Sequence, residues 1–293
     1  YSMGGLWVDY ERSGSGGMTE GSPRNQQTSI PGLYAVGECD YQYHGANRLG
    51  ANSLLSCIFS GLFCAAGVLE SAGAKRAPAG EALFASALRR EEDRHEALLQ
   101  RRGGGENPYG IHQELGDLMT RVATVVRRND QLAPAYDEVC ALEERWRRCS
   151  LSDTGHWTNQ NVVFTKSLGD MFPVAKLILR GALLRDECRG AHYKPEFEMP
   201  GIAATDPVEK RREAEKWCDR FEENTRKWLK STVARHGADG HPRITFEDVD
   251  TSLTPPRPRL YGLVGAETIE EVWKERGSER AAGADRSAAL APV

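Results

Sequence analysis

A chain of 293 residues can bury a substantial core and by length alone suggests two domains. Its net charge of −4 and pI near 6.0 argue against nucleic acid as a partner. Seven scattered cysteines, without a C-x-x-C pair or metal-like spacing, suit a reducing compartment better than a disulfide framework and suggest no metal site. No signal peptide is evident and no apolar run reads as long enough to cross a bilayer, so membrane contact is expected only through a partner.

The chain opens inside an apolar segment, Met3-Gly4-Gly5-Leu6-Trp7-Val8. Gly14-Ser15-Gly16-Gly17 approaches the phosphate-cradling G-x-G-x-x-G pattern but fails it, because position 19 is Thr. Its Gly, Ser and Thr surroundings mark a loop. Next comes the organising stretch, Pro31 to Glu70. Leu33-Tyr34-Ala35-Val36 is a short apolar run without alternation, the pattern of a strand covered on both faces. Gly37 allows a tight turn, and Glu38 follows at the strand end, where ligands of open α/β sheets bind. After the polar loop His44-Gly45-Ala46-Asn47-Arg48, Asn52 or Ser53 can cap a helix. That helix is apolar on nearly every side from Leu54 to Leu69 and is expected to lie buried in a core. Its N-terminus would aim N–H groups and partial positive charge back toward Glu38. Arg48 lies between the two, and its planar fork suits a carboxylate.

Beyond a break at Ala77-Pro78-Ala79-Gly80, four amphipathic segments follow: Glu81–Arg102, Tyr109–Arg128, Ala133–Arg148 and Asn161–Cys188. They read as an antiparallel bundle, with a kink or break expected near Asp170–Pro173. Asp206–Arg235 reads as a charged helix with Trp217, Phe221, Trp228 and Leu229 on one face. Ile244–Val249 alternates as a strand. From about Gly277 the composition is that of a disordered tail. The fold class is α/β plus α. A partial Rossmann-like domain (1–76) precedes a helical bundle (77–200), a small α+β extension (201–275) and a tail (276–293).

GLYAVGECDYQYHGANRLGANSLL resembles the C-terminal flavin-binding segment of the succinate dehydrogenase/fumarate reductase flavoprotein family. Tyr1-Ser2-Met3-Gly4-Gly5 resembles that family's HYxMGG strand without its histidine. Arg185-Asp186-Glu187-Cys188-Arg189-Gly190-Ala191-His192 is similar to its R-x-E-S-R-G-A-H, with Cys188 for serine. ITFEDVDTSLTPPRPRLYG resembles its Gram-positive-type branch. The resemblance implies FAD as cofactor and a dicarboxylate as substrate. It also implies an iron–sulfur subunit with an indirect membrane anchor as partners, at the cytoplasmic face of the inner membrane. The chain is then expected to be the C-terminal part of a larger flavoprotein, with the N-terminal portion a further partner. L-aspartate oxidase, or a non-catalytic helical module, remains the alternative.

The resemblance makes Arg48 the substrate-carboxylate arginine. Glu38 becomes the acceptor for a hydroxyl of the flavin's sugar chain, and Ser53 and Leu54 the N–H donors facing the ring near O2. Asn52 joins them as cap, and Gly5, Gly37 and Gly50 as points of close backbone approach. His44 is a lesser candidate for substrate contact, a hydrogen-bonded packing residue being the commoner use of such a histidine. Arg189 and His192 read first as structural partners of nearby carbonyls and carboxylates, and second as a contact with a flavin domain or partner subunit.

Overall fold

In the computed structural model, residues 3–73, 80–251 and 254–289 are described. Seven helices dominate: α1 (Asn52–Gly73), α2 (Glu81–Leu99), α3 (Pro108–Ala123), α4 (Asn129–Arg147), α5 (Gln160–Leu184), α6 (Pro207–Trp228) and α7 (Ala266–Ala289). β1 (Lys230–His236) and β2 (Pro242–Asp248) form the only sheet among the described residues, a two-stranded hairpin. The chain divides into two compact units, residues 1–195 with 232–245, and residues 196–231 with 246–293. The position 76/77, where the sequence suggests a boundary, lies outside the described residues.

In the first unit the core belongs to α3, α4 and α5. Ile111, Leu115, Leu118 and Val122 recur at helical spacing along α3 and meet Leu132, Val139 and Leu142 of α4 and Leu168, Phe172 and Leu179 of α5. Asn107 caps α3 by accepting from the Tyr109 N–H, with Pro108 at the first helical position. Asn159 caps α5 in the same way through the Val162 N–H. Pro173 lies inside an unbroken α5, against the break expected there. α2 is not a full member of the bundle. Only its C-terminal Leu98 and Leu99 are buried, with Leu151 and Val162, while Leu83, Phe84 and Leu88 are exposed.

The N-terminal part departs most from expectation. Leu33–Val36 and Leu6–Val8 make isolated bridges, Gln27 with Tyr34 and Leu6 with Asp40, rather than strands, so no parallel Rossmann-like sheet is present among the described residues. Only Val8 and Ala35 of those runs are buried. α1 is not buried all round either. Its covered positions are Ser56, Ser60, Cys64 and Gly67, while Leu54, Leu55, Ile58, Leu62 and Leu69 face outward. The reason is steric: small residues let the helix press on its own chain. A Cβ on Gly67 would sit 2.3 Å from the Ser22 carbonyl oxygen. By length and composition alone α1 is long and apolar enough to cross a bilayer, which corrects the reading that no apolar run reaches that length.

In the second unit α6 and α7 pack through Ala214, Cys218, Ile269 and Val272, with Trp217 stacked on Phe221 and Trp273 edge-on to Phe221. Asp206 caps α6 by accepting from the N–H groups of Val208 and Glu209. α6 ends at Trp228, so residues 230–235, expected as helix, are strand instead. The tail expected to be disordered is helical to Ala289. Ala, Glu and Arg are strong helix formers, and Ile269 and Val272 anchor that helix.

Candidate functional site

The candidate site gathers at the N-terminus of α1. Ala51 takes a positive φ of 64°, turning the chain into the helix, and the Asn52 N–H reaches the Leu49 carbonyl at 3.4 Å. The first turn of α1 carries no acidic residue, so its own side chains leave the positive end of the helix uncompensated. Arg48 stands immediately before this turn, half-buried, with Nη1 donating to the Leu49 carbonyl at 3.1 Å. A Cβ built on Gly50, two residues after Arg48, would meet nothing within 4 Å.

His44 is tied to the same helix. The Ser56 hydroxyl donates to the Ser53 carbonyl (2.8 Å), so its oxygen accepts from His44 Nε2–H at 3.1 Å. This supports a strut between loop and helix, the packing use that the sequence also allowed. The Asn47 N–H closes a turn onto the His44 carbonyl (3.1 Å).

Gly37 and Glu38 lie in a short 3-10 turn. Gly37 has φ +73°, donates its N–H to Ser60 Oγ at 2.8 Å, and would place a Cβ 3.0 Å from Cys57 Sγ. Its close approach is thus to α1. Gly5 likewise abuts its own chain, because a Cβ there would fall 2.4 Å from the Cys39 carbonyl oxygen. Glu38 is exposed, whereas Asp40 beside it is buried. Burial pushes the Asp40 carboxyl up to about 6, partly offset by the Gln42 N–H donating at 2.9 Å. The Gln26 amide completes the arrangement: its nitrogen donates to Asp40 Oδ2 (3.0 Å) and the Ala35 carbonyl (2.9 Å), and its oxygen accepts from the Tyr43 hydroxyl (2.5 Å). Gln26 is fully buried at φ +65°, a conformation that a non-glycine residue holds only when its surroundings fix it.

A second element reaches this loop from the helical bundle. Arg189 and His192 pair across a two-residue turn, with backbone N–H···O distances of 2.8 and 3.0 Å. At the turn's tip the Ala191 N–H donates to the Ala46 carbonyl at 2.8 Å. Gly190 has φ +59°, and a Cβ there would lie 2.3 Å from that same carbonyl oxygen. Glu187, buried, accepts from both Arg185 and Arg189. Burial holds His192 down at about 4. It is therefore neutral near pH 7, accepting from Arg127 at Nδ1 (2.7 Å) and donating from Nε2 to the Arg185 carbonyl (2.9 Å). Lys194, fully buried, donates to Asp186 Oδ1 and the Leu183 carbonyl, both at 3.1 Å. These contacts support the structural-pairing reading of Arg189 and His192, while the contact with the loop before α1 is made by Gly190 and Ala191 between them.

Asp40, Gln26 and the contact at Ala46 are what sequence reasoning did not single out. A glutamine in a Gly/Ser-rich loop gives no signal of burial, and a contact between residues 46 and 191 leaves no local pattern. The residues present fit one edge of a flavin. An acid-free helix N-terminus suits a ring that becomes anionic on reduction, and the exposed Glu38 suits a hydroxyl donor. Among the described residues no cluster of three or more His, Cys, Asp or Glu side chains could hold a metal ion.

Residues 112–261 match the fumarate reductase flavoprotein C-terminal family, and residues 1–54 match the FAD-binding domain family. The succinate dehydrogenase flavoprotein subunit of Bacillus subtilis is 38% identical over 265 residues, covering 89% of this chain and 39% of the relative. The fumarate reductase flavoprotein subunit of Escherichia coli is 32% identical, covering 89% and 38%. A solved quinol fumarate reductase from E. coli superposes with a TM-score of 0.66 at 31% identity, covering 82% of this chain and 37% of that one. The chain thus spans about two fifths of the length of the relatives it matches.

Proposed function

This chain belongs to the fumarate reductase flavoprotein family, and from that premise we propose that it forms the C-terminal part of a flavoprotein subunit interconverting succinate and fumarate. The observation carrying this reading is the placement of Arg48 directly ahead of an acid-free helix N-terminus. Arg48 holds one carboxylate of the dicarboxylate through its two-pronged fork. A charge-assisted hydrogen bond of this kind contributes about 1.5–3 kcal/mol. Bound FAD supplies the two-electron acceptor. Glu38 accepts a hydrogen bond from a hydroxyl of its sugar chain, and the N–H groups of Ser53 and Leu54, with Asn52 as cap, favour negative charge on the ring edge. Gly50 leaves room for substrate. Gly5 and Gly37 act by letting their own segments close on Cys39 and Cys57, which fixes the backbone around Glu38. Arg48 and Glu38 thus carry the binding, while His44 steadies the loop through Ser56.

The remaining flavoprotein portion would supply the pyrophosphate cradle and the proton-transfer group. Electrons pass to an iron–sulfur subunit and through it to a membrane-anchored quinone site, which places the assembly at the cytoplasmic face of the inner membrane. The test uses the flavoprotein carrying this sequence together with its upstream coding region. Succinate should bleach the flavin absorption, and Arg48→Lys should slow that by about 10- to 100-fold with flavin content unchanged. Equal bleaching in the variant removes Arg48 from the substrate site, and a colourless wild-type protein rejects the reading as a whole.

A further inference from the structure

The hook formed by residues 185–194 touches the arginine loop at Ala46, two residues before Arg48. Everything behind that point is heavily fixed. Arg127, in the loop between α3 and α4, donates its backbone N–H to the Tyr193 carbonyl (3.0 Å) and its guanidinium to His192. Asn129, at the start of α4, donates to Asp186 at 3.0 Å. Lys194 ties the hook to the last turn of α5 through Leu183, and Cys188 Sγ donates to the Lys194 carbonyl at 3.0 Å. The loop after α3, the start of α4 and the end of α5 therefore hold the turn, and its tip donates from Ala191 to the Ala46 carbonyl.

The loop that receives it is tied to α1 by His44–Ser56 and closed by the Asn47–His44 turn, and Ala46 lies inside that turn, two residues before Arg48. A rigid donor on the Ala46 carbonyl sets where that carbonyl lies, and with it the turn that leads into Arg48. The fit is also tight enough to exclude any side chain at Gly190. We propose that the Gly190–Ala191 turn is the positioning element for Arg48, so that the helical bundle, and not the flavin-type segment alone, determines where the substrate carboxylate is held. This rests on the reading of Arg48 given above. Gly190 and Ala191 touch no substrate in this scheme and act only through the loop.

The experiment measures malonate dissociation from the FAD-loaded flavoprotein that contains this sequence. Malonate offers two carboxylates but no carbon–carbon single bond that can be desaturated, so it reports binding alone. Gly190→Ala should weaken malonate by about 10- to 100-fold, the scale of an ångström-level misplacement, with flavin content unchanged. Gly103→Ala is the control. Gly103 also has a left-handed φ (72°), but a Cβ there meets nothing within 4 Å, so it carries the backbone strain without the contact. Its malonate affinity should stay at the wild-type value. If Gly190→Ala does not fold, replacing Ala191 by the isosteric α-hydroxy acid, so that an ester oxygen stands where its N–H was, removes the donor to Ala46 without adding bulk, and the same weakening is expected. Wild-type malonate affinity in the hook variants, with Arg48→Lys still impaired, overturns the positioning role and leaves the arginine assignment standing. Wild-type affinity in Arg48→Lys overturns both.

Discussion

The three-helix core and the segment around α1 are built on opposite principles. α3, α4 and α5 bury large apolar side chains against one another, with Lys176 of α5 a buried charge among them, paired to Glu143 of α4. α1 buries serines, a cysteine and a glycine, and turns its leucines outward. Under it lies a polar network of Asp40, Gln26, Tyr43 and Ser60. At about 25 cal/mol per Å² of apolar surface, the first arrangement is strongly self-stabilising. The second gains little from burial and depends on a few well-satisfied hydrogen bonds. Difference in composition of the two interiors therefore implies difference in how each will fail.

The largest contrast should come from the core. Phe172 is fully buried and packs against Trp146 with ring centroids 6.1 Å apart. Phe172→Ala should cost about 3–5 kcal/mol in urea unfolding followed by the helical signal. A loss under 1 kcal/mol would mean that the bundle is not the stable body described here.

The two regions should also respond to acid with opposite signs. His192, held down at about 4 from 6.5, is neutral in the fold. The stability it contributes is complete above pH 6.5 and is lost as the pH falls toward 4, on the order of 2–3 kcal/mol. His192→Gln should flatten that part of the pH–stability curve, and an unchanged slope would show that the hook histidine is not buried neutral. Asp40 is pushed up to about 6 from 3.8, so its protonated form is the one the fold favours. Its ionisation costs stability as the pH rises from about 4 to 6, by a similar amount at most. Asp40→Asn should stabilise the protein at pH 7.5 and change little at pH 4. If it destabilises equally at both, the carboxylate is a needed acceptor and not a burdened one.

How much of this could be seen in the sequence follows the same division. Ile111, Leu115, Leu118 and Val122 announce an amphipathic helix by spacing alone, and all four are buried. Pro173 does not break α5: the helix continues through it under tertiary packing, which overrides local preference. Hydrophobic content misled at α1, since composition tells that a helix is apolar but not which face finds a neighbour. Spacing did contain the answer: Ser56, Ser60, Cys64 and Gly67 form one stripe of small residues, and small residues mark where backbones approach. The motif around Arg48 was legible because its chemistry is local. The support of that arginine by a turn some 140 residues later was not, since nothing in residues 44–48 encodes the partner of the Ala46 carbonyl.

The smallest effect tests the comparison most directly. Leu62 lies on the outer face of α1 and is three-quarters exposed. Truncating it in this chain removes little buried surface, so Leu62→Ala should change the unfolding free energy by less than about 0.5 kcal/mol, the scale of an ordinary surface substitution. Leu118→Ala, in the core, should cost about 2–5 kcal/mol under the same conditions. The contrast sharpens when the same pair of substitutions is placed in the whole flavoprotein proposed above. An α1 whose leucines meet the remaining flavoprotein portion would make Leu62→Ala costly there, approaching the Leu118→Ala value, while Leu118→Ala itself should be unchanged because its contacts are complete within the bundle. A near-zero cost for Leu62→Ala in both contexts would mean that this face stays open to solvent in the assembled subunit. The outward leucines would then need a different occupant, and the small-residue stripe would be the helix's only packed side.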